Sequence, residues 1–204
     1  MFGKLSSPLV ALGSVALFGG LLVACDQSSA PVAPEHAAQA RGGSGITPAA
    51  LNRQLAELRQ ATAQFHDIEA ARDAGYTILF DPDGEGPGSA CLSHPTQGGM
   101  GEHYVNPVLL FDGGALDVSR PEALIYEPQK NGKYRLVGVE YVIPFSDLPK
   151  TAEPPVLLGQ QFMANDNEGF KLWALHAWLW KHNPSEGGMF APWNPTVTCE
   201  FSTK

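Results

Sequence analysis

The chain is short of positive charge and short of cysteine. Its 204 residues carry 13 Lys and Arg against 21 Asp and Glu, a formal net charge of -8. Such a surface repels phosphate backbones, which argues against nucleic acid as a partner. There are 3 cysteines and no CxxC pair, so the usual thiolate frame for zinc is missing. No G-x-S-x-G elbow is present, and "GGMGEH" has neither the Lys-Ser/Thr ending of a P-loop nor the frame of a dinucleotide fingerprint. Asp81, Asp83 and Glu85 lack the spacing and the distal glutamate of an EF-hand. Serine nucleophiles, bound nucleotides and calcium are set aside on these grounds.

Apolar residues are not lacking. They make up 44% of the chain and charged residues 17%, a globular balance far from that of disorder. The length suits one domain with extensions. With 22 glycines and 17 prolines, loops and turns are plentiful and a pure helical bundle is disfavoured.

Residues 1–24 have a secretory-signal layout: one positive charge at Lys4, then an uncharged apolar run from Pro8 to Ala24. A retained anchor helix is the alternative, since 17 residues lie at the lower limit for spanning a bilayer. The ending Leu22-Val23-Ala24-Cys25 resembles the lipobox of bacterial lipoproteins. That resemblance implies cleavage before Cys25 and acyl chains on it as the new N-terminus. Several chains are needed for firm anchoring, since one alone binds only marginally. The implied location is the bacterial cell envelope, with the folded part held to a membrane and facing the periplasm or exterior. Residues 25–46, rich in Ala, Ser, Pro and Gly, read as a tether.

Two cysteines then remain, Cys91 and Cys199, and an oxidising compartment favours one disulfide between them. Residues 47–204 read as a single α+β domain, an N-terminal helix or helix pair packed on a mostly antiparallel sheet with long Gly/Pro-rich loops. Thr47 is placed to cap a helix, Pro48 suits its first position, and Leu51, Leu55 and Leu58 recur at helical spacing. A break is expected near His66-Asp67 and a stop at Gly75. "YTILF" is a short strand candidate, and the segment from Asp81 to Gly101 reads as one long loop. "ALIYEP" and "YRLVGVEYVIP" read as a hairpin around Asn131-Gly132. "TVTCEF" is a C-terminal strand candidate. "FKLWALHAWLWKHNP" suits a strand buried on both faces, with Phe170, Leu172, Ala174, His176, Trp178 and Trp180 on one side, or else a buried helix.

Three polar residues stand in or beside these apolar segments: His103, Glu140 and His176. On the hairpin strand Glu140 shares a parity with Leu136, Gly138 and Val142, and a carboxylate there needs a partner or a raised pKa. Two imidazoles and a carboxylate that converge make a site for one divalent transition metal with open positions, as in non-haem iron or catalytic zinc. The alternative sets His176 against a backbone carbonyl, Glu140 beside a Lys or Arg, and His103 in solvent. His94 is read as a turn residue, Met100 and Met189 as packing rather than soft metal ligands, and His182 as an exposed strand terminus.

From about residue 62 onward, "GMGEHYVN", "LVGVEY", "LHAWLWKHNP" and "MFAPWNP" resemble a group of uncharacterised exported proteins. The resemblance implies one domain and brings no activity with it. Three function classes follow. The first is a binding module for a metal or small ligand at His103, Glu140 and His176, with Tyr104, Tyr141 and Trp178 lining the pocket. The second is a metal-dependent enzyme using the same residues. The third is an envelope interaction protein with no chemical site.

Overall fold

The computed structural model describes residues 45–81, 90–166 and 170–203, all within the compact unit Ala40–Lys204. The leader, Cys25 and nearly all of the tether lie outside the described residues, as do Asp83 and Glu85. Among the described residues, no helix is long and apolar enough to cross a membrane.

The architecture is α+β. Helix α1 covers Pro48–Thr62. The Thr47 hydroxyl accepts from the Ala50 amide and satisfies one of the free donors at the helix start. A 3-10 turn, Ala63–His66, and a short helix α2, Ile68–Asp73, continue the layer. The break falls at Asp67, whose carboxylate caps α2 by accepting from the Glu69 amide. Gly75 ends α2 with φ of +98°.

The strands are β1 (Ile78–Leu79), β2 (Cys91–His94), β3 (Gly98–Val105), β4 (Ala123–Pro128), β5 (Tyr134–Pro144), β6 (Val156–Leu157), β7 (Gln160–Gln161), β8 (Met163–Asn165) and β9 (Leu172–Ala177). Seven form one antiparallel sheet in the order β1-β3-β4-β5-β9-β8, with β2 pairing β3 as well, while β6 and β7 make a separate ribbon. A short helix α3, Pro107–Leu110, follows β3.

One face of the sheet packs on the helices. Leu55 and Leu58 of α1, with Phe65, meet Tyr104, Tyr126, Val139, Tyr141 and Leu175 there. The opposite face carries a smaller cluster of Ile125, Val137, Trp178 and Val197. The β4–β5 hairpin has the expected boundaries, and its loop places Gly132 at φ of +75° with the Gln129 amide donating to the Lys133 carbonyl. That is a three-residue loop closed by a left-handed glycine.

Four expectations need correction. The segment read as a loop up to Gly101 holds a hairpin, β2 and the start of β3. Its glycines answer to crowding: a Cβ on Gly98 would lie 2.3 Å from the Pro195 Cα, and one on Gly101 would lie 2.6 Å from the Tyr126 carbonyl oxygen. "TVTCEF" forms no strand, because its chain is tied by a disulfide and side-chain bonds and not by a ladder. Strand β9 stops at Ala177, so Trp180 leaves the proposed face and packs against His66 on the helix side; His182 is exposed but lies beyond the strand. In β5 the register shifts between Ile125 and Tyr126 of its partner, pairing Ile125 with Gly138 and Tyr126 with Leu136. Val137 is the extra residue, and this bulge sends Leu136 to the helix face, away from Glu140.

The disulfide joins Cys91 and Cys199 across a sequence separation of 108. It links the start of β2 to the C-terminal segment.

Candidate metal centre

The sheet register assembles the three polar residues. Glu140 on β5 faces His176 on β9 as its direct cross-strand partner. His103 lies on β3, two strands from β5 and therefore about 9.6 Å away by the usual strand spacing. The intervening β4 presents Ala123 in register with Glu140. That small side chain leaves room for His103 and Glu140 to meet above the sheet.

The distances are short. His103 Nε2 lies 3.5 Å from Glu140 Oε2, and His176 Nε2 lies 3.4 Å from Glu140 Oε1. One ligand atom from each residue falls within 4.8 Å of the others, the arrangement of a site able to hold one ion. Tetrahedral ligands at about 2.0 to 2.1 Å from zinc sit about 3.3 to 3.4 Å apart. Each histidine lies close to that distance from one Glu140 oxygen, His103 from Oε2 and His176 from Oε1.

Both histidines are buried, at 3% and 2% exposure, and the Glu140 side chain is 14% exposed. The alternative partners named from the sequence are not used. Among the described residues no Lys or Arg pairs with Glu140, and both nitrogens of His176 lack a hydrogen bond. His103 Nδ1 also lacks a partner in hydrogen-bond geometry, although the Gly101 backbone lies near the ring. Most metal-bound histidines donate that second N–H to an outer oxygen. These rings have no such tether and are oriented by packing: Trp178 stacks on His176 with ring centroids 6.0 Å apart and planes 16° apart.

Burial dominates the electrostatics. It holds the His103 imidazole down to about 4, opposed weakly by the Gly101 backbone. It holds His176 down to about 3, with His103 adding to the effect. Burial, and then the nearby Glu122, pushes the Glu140 carboxyl up to about 8. Both imidazoles are therefore neutral at pH 7, the form that binds a metal.

The site forms the polar floor of a cavity of about 440 Å³. Its walls are Phe80, Leu92, Met100, Val105, Leu110, Val142, Phe170, Leu172, Ala174, Pro192 and Trp193, with Met163, Ala164 and Asn165 contributed by β8. Tyr104, Tyr141 and Trp178, expected as lining, are not among them. Tyr104 and Tyr141 directly follow His103 and Glu140 on their strands, so they point to the other face, where both enter the helix-side core. Trp178 sits behind His176 and donates its indole N–H to the Ala191 carbonyl at 2.7 Å.

The true neighbours are two positions away along the same strands: Val105, Val142 and Ala174. A period of two would have picked them out. Phe170 and Leu172, expected on the side of His176, do line the cavity, while Phe80 and Trp193 carried no such signal. Met100 reaches the cavity through a second bulge, where Leu92 pairs with Gly101 and Ser93 with Gly99. Met189 packs on the helix-side core. His94 turns its Nδ1 toward the Thr96 and Gln97 amides, which donate to it, and takes no part in the site.

Among the described residues, three carboxylates away from the trio are buried, each with a structural task. Glu102 accepts from the Ser202 hydroxyl, Glu122 from the Val142 amide, and Glu127 from Lys181 and the Thr198 amide. No protein-family model matches the chain, and no curated protein or solved structure matches it.

Proposed function

We infer that the protein is a membrane-anchored, extracytoplasmic lipoprotein whose folded domain binds one divalent transition metal through His103, Glu140 and His176. The observation that carries the metal reading is the convergence of three donors within 4.8 Å, two buried imidazoles and a largely buried carboxyl, with no Lys or Arg on Glu140 and no hydrogen bond to either nitrogen of His176 among the described residues. Buried polar groups are almost always satisfied, and each one left unpaired costs about 1 to 3 kcal/mol. A single ion would give all three residues a partner at once. Two imidazoles and one carboxylate suit zinc or iron(II) and leave coordination positions open toward the cavity.

Those open positions also favour a second reading, a metal-dependent enzyme in which the ion activates a water or a bound molecule. The lipid anchor rests on the Leu22-Val23-Ala24-Cys25 ending and the apolar run before it.

Elemental analysis of the purified domain tests the metal. One equivalent of zinc or iron per chain is expected in the parent and less than a tenth of that in His176→Ala, with circular dichroism confirming that the variant folds. Equal metal content in the two proteins, or none in the parent after exposure to zinc and iron(II), rejects the reading. For the anchor, intact mass of membrane-extracted protein should show an acylated Cys25 at the mature N-terminus, and a retained leader would reject it.

A further inference from the structure

The cavity above the trio is larger than a metal and its waters require. At roughly 30 Å³ per water-sized atom, 440 Å³ admits about fifteen of them. Its walls are apolar almost throughout, so water filling it has few partners. Beyond the trio, the described lining residues with polar side-chain atoms are Asn165 and Trp193, and among the described residues the lining contains no Lys, Arg or Asp.

Charge narrows the occupant further. A divalent ion held by two neutral imidazoles and one carboxylate leaves the centre with a net charge of about +1. A net charge in an apolar surrounding is costly unless something neutralises it. Among the described residues, no second anion lines the cavity to do so. A cationic ligand would add to the cost, and a sugar or peptide would lose its hydrogen bonds to water against walls that offer few in return.

We propose that the cavity takes a small monoanionic molecule with an apolar body, an aliphatic or aromatic carboxylate, whose head group completes the metal's coordination sphere. The body lies among Phe80, Met100, Phe170 and Leu172. The rim is accessible at β8, where Met163 is 43% exposed and Ala164 is exposed as well. This inference rests on the metal reading above and adds the class of ligand.

Cobalt(II) and octanoate are the probes, because cobalt's visible bands report its coordination and octanoate has ten non-hydrogen atoms. The chelator-treated full domain is first loaded with cobalt, and one equivalent is expected. Octanoate should then change the cobalt bands and bind at least about tenfold more tightly than to the metal-free protein, as a charge-assisted contact to the ion requires. Octylamine, with the same tail and a cationic head, should leave the bands unchanged. Met163→Trp, which narrows the rim from the edge position paired with Ala174, should weaken octanoate about tenfold or more while cobalt stays at one per chain. Met100→Phe, at another lining position, offers the same comparison if Met163→Trp does not fold.

The outcomes separate the two claims. Failure to bind cobalt overturns the metal reading and this inference together. Cobalt bound at one equivalent with bands that octanoate does not alter overturns the ligand class alone. The same holds if octanoate binds the metal-free protein equally well, if octylamine competes with it, or if a folded rim variant binds it as tightly as the parent.

Discussion

At the scale of single residues, Glu140 sets the chemistry of the site. Without an ion its carboxyl has two neutral imidazoles for company and a second carboxyl, Glu122, nearby. Its pKa rises from an ordinary 4.5 to about 8. The folded chain therefore binds one proton more than the unfolded chain between those values. Stability from this group is fully present below pH 4.5 and is lost as pH rises to about 8. Glu140→Gln removes the titration and leaves both histidines in place. With chelator present, urea midpoints of parent and variant should agree within error relative to each other's trend below pH 4.5, and the parent should then fall away steadily up to about pH 8. A constant gap between the two proteins across that range would refute the assigned environment. Zinc reverses the order at pH 8, because only the parent keeps a charged ligand for it.

At the scale of elements, the strand that carries His103 is held in place by glycine. Gly101 has φ of +92° and sits under the Tyr126 carbonyl, where a Cβ would lie 2.6 Å from the oxygen. Gly113 has a similar φ of +88° but nothing within 4 Å. The two positions separate backbone strain from crowding. Gly113→Ala should cost about 1 to 2 kcal/mol, the usual penalty of a left-handed alanine. Gly101→Ala should cost about 3 to 5 kcal/mol, because β3 has to move off β4 as well. It should also weaken zinc binding, since His103 follows two residues later on the same strand. Urea unfolding of both variants and a zinc titration of Gly101→Ala read these effects, and equal destabilisation by the two would show that crowding plays no part.

The same strand shows what the sequence could and could not reveal. Helix α1 was legible because its signals are local: a capping Thr47, Pro48 at the first position, and leucines at helical spacing. So was the β4–β5 hairpin, with Asn131-Gly132 between two apolar runs. The glycines from Gly98 to Gly101 suggested flexibility because what demands them is distant in sequence, at Tyr126, Asn194, Pro195 and Val197. The bulge at Val137 was invisible for a related reason, since only the partner strand reveals a shifted register. His103, Glu140 and His176 could be singled out because each is polar in or beside an apolar segment. Their convergence could not, because it depends on β3, β4, β5 and β9 lying side by side. The choice of Tyr104 and Tyr141 as lining failed on strand alternation alone, a rule the sequence does contain.

At the scale of the molecule, the C-terminal segment closes the face that bears the site. Trp193 lines the cavity, Asn194 bridges to Gly99, the Thr198 amide donates to Glu127, and Ser202 donates to Glu102. Cys199 fastens that segment to β2. The His103, Glu140 and His176 trio itself sits on β3, β5 and β9, and the segment meets these strands' ladders only through the bridge at Gly99, at the far end of β3 from the ladder to β4. The disulfide should therefore govern global stability and the cavity wall without governing the ion. On the chain-entropy account, a bridge across a separation of 108 residues contributes about 4 to 5 kcal/mol. The double variant Cys91→Ser, Cys199→Ser should lose most of that in urea unfolding yet retain one equivalent of zinc under native conditions. Its octanoate affinity should fall, because Pro192 and Trp193 are then held only by the weaker bonds of their segment. Loss of zinc in a variant that still shows the parent's circular dichroism would place the C-terminal segment inside the metal site's own support and contradict the separation of the two roles.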